Sequence, residues 1–263
     1  MKRRPLLTYF VLVFVITWSV GAAAVVAPEW FDRTWGPLDS SNPLFFLAVY
    51  APTLTAIGLT AAFEGRAGLR ALAARLDPRR GHPVWFLVVI GGFLALTGIG
   101  AVIGERFGGP APSWNFIGAA AILGTSLLQD PGPLGEELGW RGFALPRMLR
   151  IWSPVKASLI LGVIWGVWHL PAFYVSTLSQ SQLSFPVFVL GAVSLSVVTS
   201  WLFLRSKGSV LIAILTHLMA NHAADITGGT FNQLAIGMTI VAVVLIATGQ
   251  FRAEPAAEHQ LPA

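Results

Sequence analysis

Apolar runs of membrane-spanning length, separated by short polar loops, follow one another along almost the whole chain. A spanning helix needs about 20 mainly apolar residues, and most of the runs reach that length. The pattern predicts an all-α fold, a polytopic membrane helix bundle of about eight transmembrane helices. The runs cover approximately residues 6–27, 44–63, 84–104, 115–129, 155–175, 185–204, 208–226 and 231–251.

The fourth run, 115–129, is short and is followed by Pro131 and Pro133. It is therefore predicted to continue as a broken or re-entrant helix into the segment around Glu136. Irregular backbone at membrane depth is tolerated only where protein or a water-filled cavity covers it. We expect this segment to fold back into the bundle.

The runs form one membrane-embedded domain over residues 1–251. From Gly65 to Gly81, leucines recur on one helical face with arginines opposite, which indicates a helix lying on the membrane surface. The first run ends near small residues, as a signal peptide does, but its length of about 20 residues favours a retained helix. The tail, 252–263, is rich in Ala, Pro and Glu and is predicted to be disordered.

Composition agrees with a bilayer as the solvent. The chain is 55% hydrophobic and 11% charged, with a mean hydropathy of +0.70, whereas soluble domains carry about 25% charged residues. An ordinary water-soluble enzyme is therefore excluded. The chain has no cysteine, which excludes disulfides, thiolate zinc sites and a cysteine nucleophile.

The net charge of +5 reflects membrane topology rather than nucleic-acid binding. Fifteen of the seventeen Lys and Arg residues fall at the N-terminus, in alternate loops and in the tail, and only Arg33 and Arg106 fall in the other loops. Cytoplasmic loops carry an excess of Lys and Arg. An eight-span bundle with both termini cytoplasmic satisfies this distribution. The predicted partner is the lipid bilayer, and nucleic-acid binding is not expected.

Two adjacent carboxylates stand in this apolar chain, Glu136 and Glu137. An ionisable group at membrane depth is costly and by default marks a function. On a helix, Glu137 and Arg141 share a face and can pair, while Glu136 points about 100° away with its carboxylate free. Burial raises the pKa of a carboxylate, which suits a general base. The alternative is that both glutamates face cytosolic water in a loop.

Two later segments add histidines. His169 follows Trp165 and Trp168, roughly 21 Å along a helix from the cytoplasmic end of the fifth run. A lone buried histidine is more often a hydrogen-bonded core residue than a catalyst, and the tryptophans are predicted to form walls against lipid and water. His217 and Asn221 share a helical face in the seventh run.

His217 and Asn221 can both donate hydrogen bonds, which suits stabilising the oxyanion of a peptide carbonyl under attack. The alternative is a polar pair that holds two helices together, and His222 is treated as structural. A base, an imidazole and a donor pair suffice for adding water to an amide. Counting residues along the spans places Glu136 near the cytoplasmic edge and His169 at mid-membrane. For the two to meet, we expect a shared pocket that opens to the cytosol.

The three motifs, in order from residue 135 to 222, resemble those of the CAAX-protease and bacteriocin-processing family of intramembrane endopeptidases, which is related to the type II CAAX prenyl endopeptidase. The family pattern usually has Phe where this chain has Trp165, which keeps an aromatic wall. The resemblance implies a peptidase domain over residues 1–251, in a bacterial cytoplasmic membrane, that hydrolyses a peptide or membrane-protein substrate. The implied roles are water activation by Glu136 and His169, oxyanion binding by His217 and Asn221, and support by Glu137 and Arg141.

The implied mechanism needs no cofactor. The alternative is a zinc ion held by Glu136, His169 and His217 with one open position. The chain has no His-Glu-x-x-His helix, and no second base would remain to activate water on the metal, so the metal-free mechanism is favoured.

Other functions compete with a glutamate-dependent peptidase. An ion-coupled transporter also uses buried Glu and His, and a non-catalytic membrane immunity or scaffold protein is the third interpretation. A serine protease is disfavoured because no serine stands in a recognisable nucleophile setting. An aspartyl protease is disfavoured because Asp130 and Asp225 are expected at opposite ends of spans.

Overall fold

The computed structural model describes residues 4–115, 118–119, 124–126 and 129–252. These residues form helices and connecting turns, with no strand among them, which confirms the all-α prediction. Seven of the eight predicted runs coincide with helices. The predicted run 115–129 lies mostly, and the predicted disordered tail almost wholly, outside the described residues.

Within the described residues ten α-helices follow one another: α1 (Arg4–Val26), α2 (Pro28–Trp35), α3 (Pro43–Ala73), α4 (Val84–Arg106), α5 (Pro131–Glu137), α6 (Leu145–Met148), α7 (Pro154–Trp168), α8 (Phe185–Arg205), α9 (Val210–Thr227) and α10 (Phe231–Ala247). Six helical segments, which contain α1, α3, α4, α7, α8 and α9, are long and apolar enough to cross a membrane. Helix α7 packs against α8, α8 against α10, α4 against α9, and α1 against α3.

Local chemistry accounts for where several helices begin. The side chains of Asn42, Asp130 and Ser153 each accept a backbone N–H in the first turn of α3, α5 and α7, and a proline follows each of them. Proline suits this position because its missing N–H would have no partner there. Helix α10 begins with a reciprocal capping box between Thr230 and Gln233.

Helix α3 changes direction at Gly65, whose φ of 61° and ψ of −153° lie outside the helical region. Glycine tolerates this conformation because it has no Cβ. The predicted helix beyond Gly65 is present as the last part of α3 and the 3₁₀ turn Ala74–Leu76, with Leu72 buried. Arg75 departs from the predicted exposed arginine face, because it is buried with its guanidinium 5.7 Å from the centroid of the Phe203 ring.

The segment 131–148 folds back into the bundle, as predicted. Helix α5 runs into a π-helical stretch, Leu138–Ala144, which continues into α6, and Trp140 and Arg141 are fully buried. Close approach to α3 requires glycine here: a Cβ on Gly139 would lie 2.5 Å from the backbone of Pro52. Single π-helical turns inside helices occur frequently at functional sites.

The turns between helices separate into two groups at opposite ends of the bundle. At one end, which we call the basic end, Arg80 donates to the carbonyl of Lys207 at 2.8 Å, and Arg205 donates to the carbonyl of Gln250. At the other, the distal end, Thr177 donates to the carbonyl of Leu38 at 2.6 Å. The basic end comprises the turns at 74–83, 149–153, 206–209 and 248–252, and the distal end those at 36–42, 107–115, 175–184 and 228–230.

Candidate active site

Glu136 lies at the end of α5 and is 3% exposed. Its Oε2 accepts hydrogen bonds from the indole N–H of Trp165 at 2.5 Å and from that of Trp140 at 3.3 Å. The expectation of an entirely free carboxylate was therefore wrong, because one oxygen is held by two indoles. The described residues provide no hydrogen bond to Oε1, which lines the same cavity as the histidines.

Glu137 is fully buried and contacts a guanidinium and an imidazole. Its Oε1 accepts from Nη1 of Arg141 at 2.8 Å and lies 3.0 Å from Nδ1 of His217. The predicted pair between Glu137 and Arg141 is confirmed. The Arg141 guanidinium also lies 4.6 Å from the centroid of the Trp165 ring. A buried charge needs partners of this kind, because burying an unpaired one is costly.

His169 ends α7, where its Nδ1 lies 2.8 Å from the backbone carbonyl of Trp165. A carbonyl oxygen can only accept, so Nδ1 carries the proton of this hydrogen bond. In the neutral ring Nε2 is then an acceptor, which suits a residue that takes a proton from water. The ring packs edge-on against Trp168 and Phe188, at centroid distances of 4.7 and 4.9 Å.

His217 differs from His169 in its partner. Its Nδ1 faces the carboxylate of Glu137, so a hydrogen bond there also requires the proton on Nδ1. Donation from Nε2 to an oxyanion would need a ring protonated on both nitrogens, with Glu137 as its counter-ion. The partners of the two histidines therefore make His169 the better acceptor and His217 the better donor.

Trp165 contacts Glu136, Arg141 and both histidines. Its N–H donates to Glu136, its face receives Arg141, and its ring centroid lies 5.2 Å from that of His217 and 5.9 Å from that of His169. Sequence analysis treated this residue only as a wall. Its position four residues before His169 indicated that the two share a helical face. That spacing does not reveal the hydrogen bond to Glu136 on another helix.

Asp130, which sequence analysis did not place in the site, binds the α9 side chains beyond His217. Its Oδ2 accepts from Nδ2 of Asn221 at 2.7 Å and lies 3.1 Å from Nε2 of His222. The other nitrogen of His222 lies 3.4 Å from Asp225. The expectation that Asp130 and Asp225 are far apart was wrong, since one histidine contacts both. His222, which sequence analysis treated as structural, lines the same cavity as His217.

A cavity of about 700 Å³ brings these side chains together, and Glu136, His169, His217 and Asn221 all line it. Gly132 lines it close to two of them: a Cβ there would lie 3.3 Å from Oε1 of Glu136 and 3.7 Å from Cε1 of His217. The predicted shared pocket is therefore present. Glu137 and Arg141 lie behind it, with their side chains fully buried.

The cavity reaches the distal end of the bundle. Its lining includes Ser40, Thr177 and Ser179, which are exposed residues at the distal end, and no residue of the turns at the basic end. The helices explain this position, because His169 lies at the distal end of α7 and His217 lies beyond the first turn of α9. The predicted opening to the cytosol stays a prediction, since the lining residues give the end of the bundle and not the side of the membrane.

The three residues of the zinc alternative do not form a metal-binding group. In the part of the chain that the structure describes, no set of three or more His, Asp or Glu side chains is arranged to hold a metal ion. Oε2 of Glu136 and Nδ1 of both histidines have protein partners, so any metal ligation would have to use Oε1 of Glu136 and Nε2 of each histidine.

Comparisons with known proteins point to one family. A family model described as type II CAAX prenyl endopeptidase Rce1-like matches residues 114–223. A protein named CAAX prenyl protease 2, from Methanococcus maripaludis, is 30% identical to this chain over 92 residues, which is 33% of this chain and 34% of that protein. The residues matched by the family model, 114–223, contain all three motifs and the cavity residues from Asp130 to His222. The chain matches about a third of the length of this curated relative.

Proposed function

We propose that this integral, multi-pass membrane protein is an intramembrane endopeptidase, because residues 114–223 match the family model described as type II CAAX prenyl endopeptidase Rce1-like. The observation that carries the proposal is the convergence of Glu136, His169 and His217 around Trp165 on one cavity. Water-activating chemistry needs a base, an oxyanion donor and a place between them for the reacting carbonyl.

In the proposed reaction, Glu136 and His169 orient a water molecule, and Glu136 takes its proton as the water oxygen attacks the carbonyl carbon of the substrate. The carbonyl becomes a tetrahedral oxyanion, which accepts hydrogen bonds from Nε2–H of His217 and from the amide of Asn221. Glu136 then passes the proton to the amide nitrogen, and the carbon–nitrogen bond breaks to give a carboxylic acid and an amine, between which the remaining proton of the water then transfers.

The contacts of the donor pair support this division of roles. Asn221 donates one amide hydrogen to Asp130, which fixes the side chain and leaves the other hydrogen for the oxyanion. Glu137 lies against Nδ1 of His217 and against Arg141. We propose these as supporting groups, because they orient the ring without lining the cavity.

We propose further that the reaction needs no metal, since a carboxylate beside an imidazole supplies the base. Hydrolysis of a peptide library by the purified protein in nanodiscs tests both proposals. Cleavage that survives a strong chelator and is lost in Glu136→Gln supports them. Cleavage that stops with chelator and returns with zinc contradicts the metal-free mechanism, and uptake of an ion into liposomes without any cleavage would favour the transporter.

A further inference from the structure

The buried residue Arg75, at the basic end of the bundle, is a cation with an unpartnered nitrogen. It lies in the 3₁₀ turn Ala74–Leu76 and is 8% exposed. Its Nη1 is enclosed and has no hydrogen-bond partner among the described residues, and its guanidinium lies over the ring of Phe203. A buried charge is costly unless it is paired. The fold therefore holds Arg75 where a negatively charged partner would stabilise it.

The neighbours of Arg75 add positive charge. A Cβ on Gly208 would lie 2.9 Å from Nη1 of Arg75 and 3.5 Å from Nη1 of Arg80, so two guanidinium groups converge on this turn. Arg147 and Arg150 are also close enough to repel the charge of Arg75. We call Arg75, Arg80, Arg147 and Arg150 the arginine cluster.

Two carboxylates lie near the arginine cluster, and each is paired with one arginine. Glu64 pairs with Arg147. Asp77 accepts two hydrogen bonds from the side chain of Arg79, which lies outside the cluster and is 89% exposed. Arg80 donates to two backbone carbonyls, which carry no net charge. The cluster therefore keeps an excess of positive charge around a buried guanidinium, where salt screens charges less than it does in open solvent.

The arginine cluster lies at the level of the lipid headgroups. Arg75 is one residue before the end of Pro43–Leu76, a helical segment long and apolar enough to cross a membrane, and the polar headgroups begin where an apolar span ends. Guanidinium groups bind phosphate oxygens through paired N–H···O hydrogen bonds. A general excess of Arg at the end of a bundle requires only solvated side chains such as Arg79. The burial of Arg75 beneath other arginines is additional to that pattern and indicates a site for an anion.

We propose that the arginine cluster binds a phosphate group with net negative charge, carried by the headgroup of an anionic phospholipid or by a soluble phosphate. Arg150 is exposed and Arg80 half-buried, so these two meet the phosphate at the surface, and Arg75 supplies charge from beneath. None of the four arginines lines the cavity of the candidate active site. Binding at the cluster is therefore independent of peptide hydrolysis.

Thermal unfolding in uncharged detergent micelles tests the proposal, because a ligand of the folded protein raises the melting temperature with its concentration. The probes are dioctanoyl phosphatidylglycerol, dioctanoyl phosphatidylcholine and inorganic phosphate, the last compared with sodium chloride at equal ionic strength. We expect a saturable rise with phosphatidylglycerol, with inorganic phosphate or with both, and none with phosphatidylcholine.

The pattern of binding identifies the source of the phosphate. A rise with phosphatidylglycerol alone assigns the site to a lipid headgroup, a rise with inorganic phosphate alone assigns it to a soluble phosphate, and a rise with both shows that the phosphate group itself is recognised. A rise with phosphatidylcholine equal to that with phosphatidylglycerol, or no saturable rise with either anion, would overturn the proposal.

Matched variants assign the binding to the arginine cluster. Hydrogen bonds to charged groups are the strong ones, so Arg75→Gln should weaken the apparent affinity about tenfold or more. Arg150→Gln removes an exposed arginine of the cluster without altering the buried packing, and it should weaken the affinity several-fold even if Arg75→Gln does not fold. Arg79→Gln removes the same charge outside the cluster and should retain the wild-type affinity to within about twofold. Wild-type affinity in Arg150→Gln and in folded Arg75→Gln, or an equal loss in Arg79→Gln, would overturn the site.

Discussion

The indole N–H of Trp165 donates a 2.5 Å hydrogen bond to Oε2 of Glu136, from α7 to the end of α5. This contact joins two motifs that are 29 residues apart in the chain. It orients the carboxylate so that Oε1 borders Gly132 and the cavity. A phenylalanine at position 165 would preserve an aromatic ring but could not donate this hydrogen bond.

Trp165→Phe tests that positioning role. A hydrogen bond to a charged group contributes about 1.5–3 kcal/mol, so we expect kcat for peptide hydrolysis to fall about 10- to 100-fold. KM should change little, because the aromatic ring that lines the cavity remains. Steady-state kinetics in nanodiscs measures the two separately.

Trp168→Phe is the matched control. Trp168 lies on the same helix and is equally buried at 3% exposure, but its N–H has no partner within the described residues. We expect this variant to retain wild-type kcat to within a few fold. An equal loss of kcat in both variants would show that the effect of Trp165→Phe is one of packing.

The main features of the fold were predictable from the sequence, for a simple physical reason. Hydrophobic length and the distribution of Lys and Arg are local properties, and they are sufficient to predict helices such as α4 and α8. The pair between Glu137 and Arg141 was also predictable, because a spacing of four places both on one helical face.

Contacts between segments distant in the chain were not predictable. The hydrophobic pattern reveals neither the π-helical stretch at Leu138–Ala144 nor the hydrogen bond from Trp165 of α7 to Glu136. Asp130 was placed at a span end because the sequence does not show that α5 begins beside α9. The end of the bundle that the cavity reaches depends on the packing of all these helices, and a count of residues along each span could not supply it.

Glu137→Gln is expected to destabilise the protein more than Glu136→Gln does. Glu137 is the carboxylate partner of both Arg141 and His217, and removing one member of a buried ion pair costs about 3–5 kcal/mol because the other charge is left uncompensated. Thermal unfolding in detergent micelles measures the difference. Equal melting temperatures for the two variants would contradict the assignment of Glu137 as the supporting carboxylate.

Gly132→Ala is expected to lower activity without lowering stability. The added methyl group would lie 3.1 Å from Oδ1 of Asp130 and 3.3 Å from Oε1 of Glu136, so it would displace a carboxylate at the cavity. Small displacements of this kind cost up to about 100-fold in rate, while alanine in a helix is favoured over glycine by about 0.5–1 kcal/mol. Hydrolysis and thermal unfolding are measured on the same preparation. Wild-type activity in this variant would show that the reacting groups do not lie at Gly132.

Asp130→Asn tests a contact whose pH dependence has a definite sign. Burial raises the pKa of the Asp130 carboxyl, but hydrogen bonds from His222, Asn221 and the Gly132 N–H lower it more, and the net pKa is below the ordinary 3.8. Because the pKa of Asp130 is lower in the folded than in the unfolded protein, the ionised carboxylate stabilises the fold at pH values above the unfolded pKa. This stabilisation is lost as the pH falls through the folded pKa. The melting temperature of wild type should therefore exceed that of Asp130→Asn from pH 7 to 5, and the difference should shrink below about pH 4.

Asp32→Asn, which removes an exposed carboxylate on α2, controls for the loss of one negative charge. A difference between wild type and Asp130→Asn that grows as pH falls below 4 would mean that the carboxylate is not the form held by Asn221 and His222.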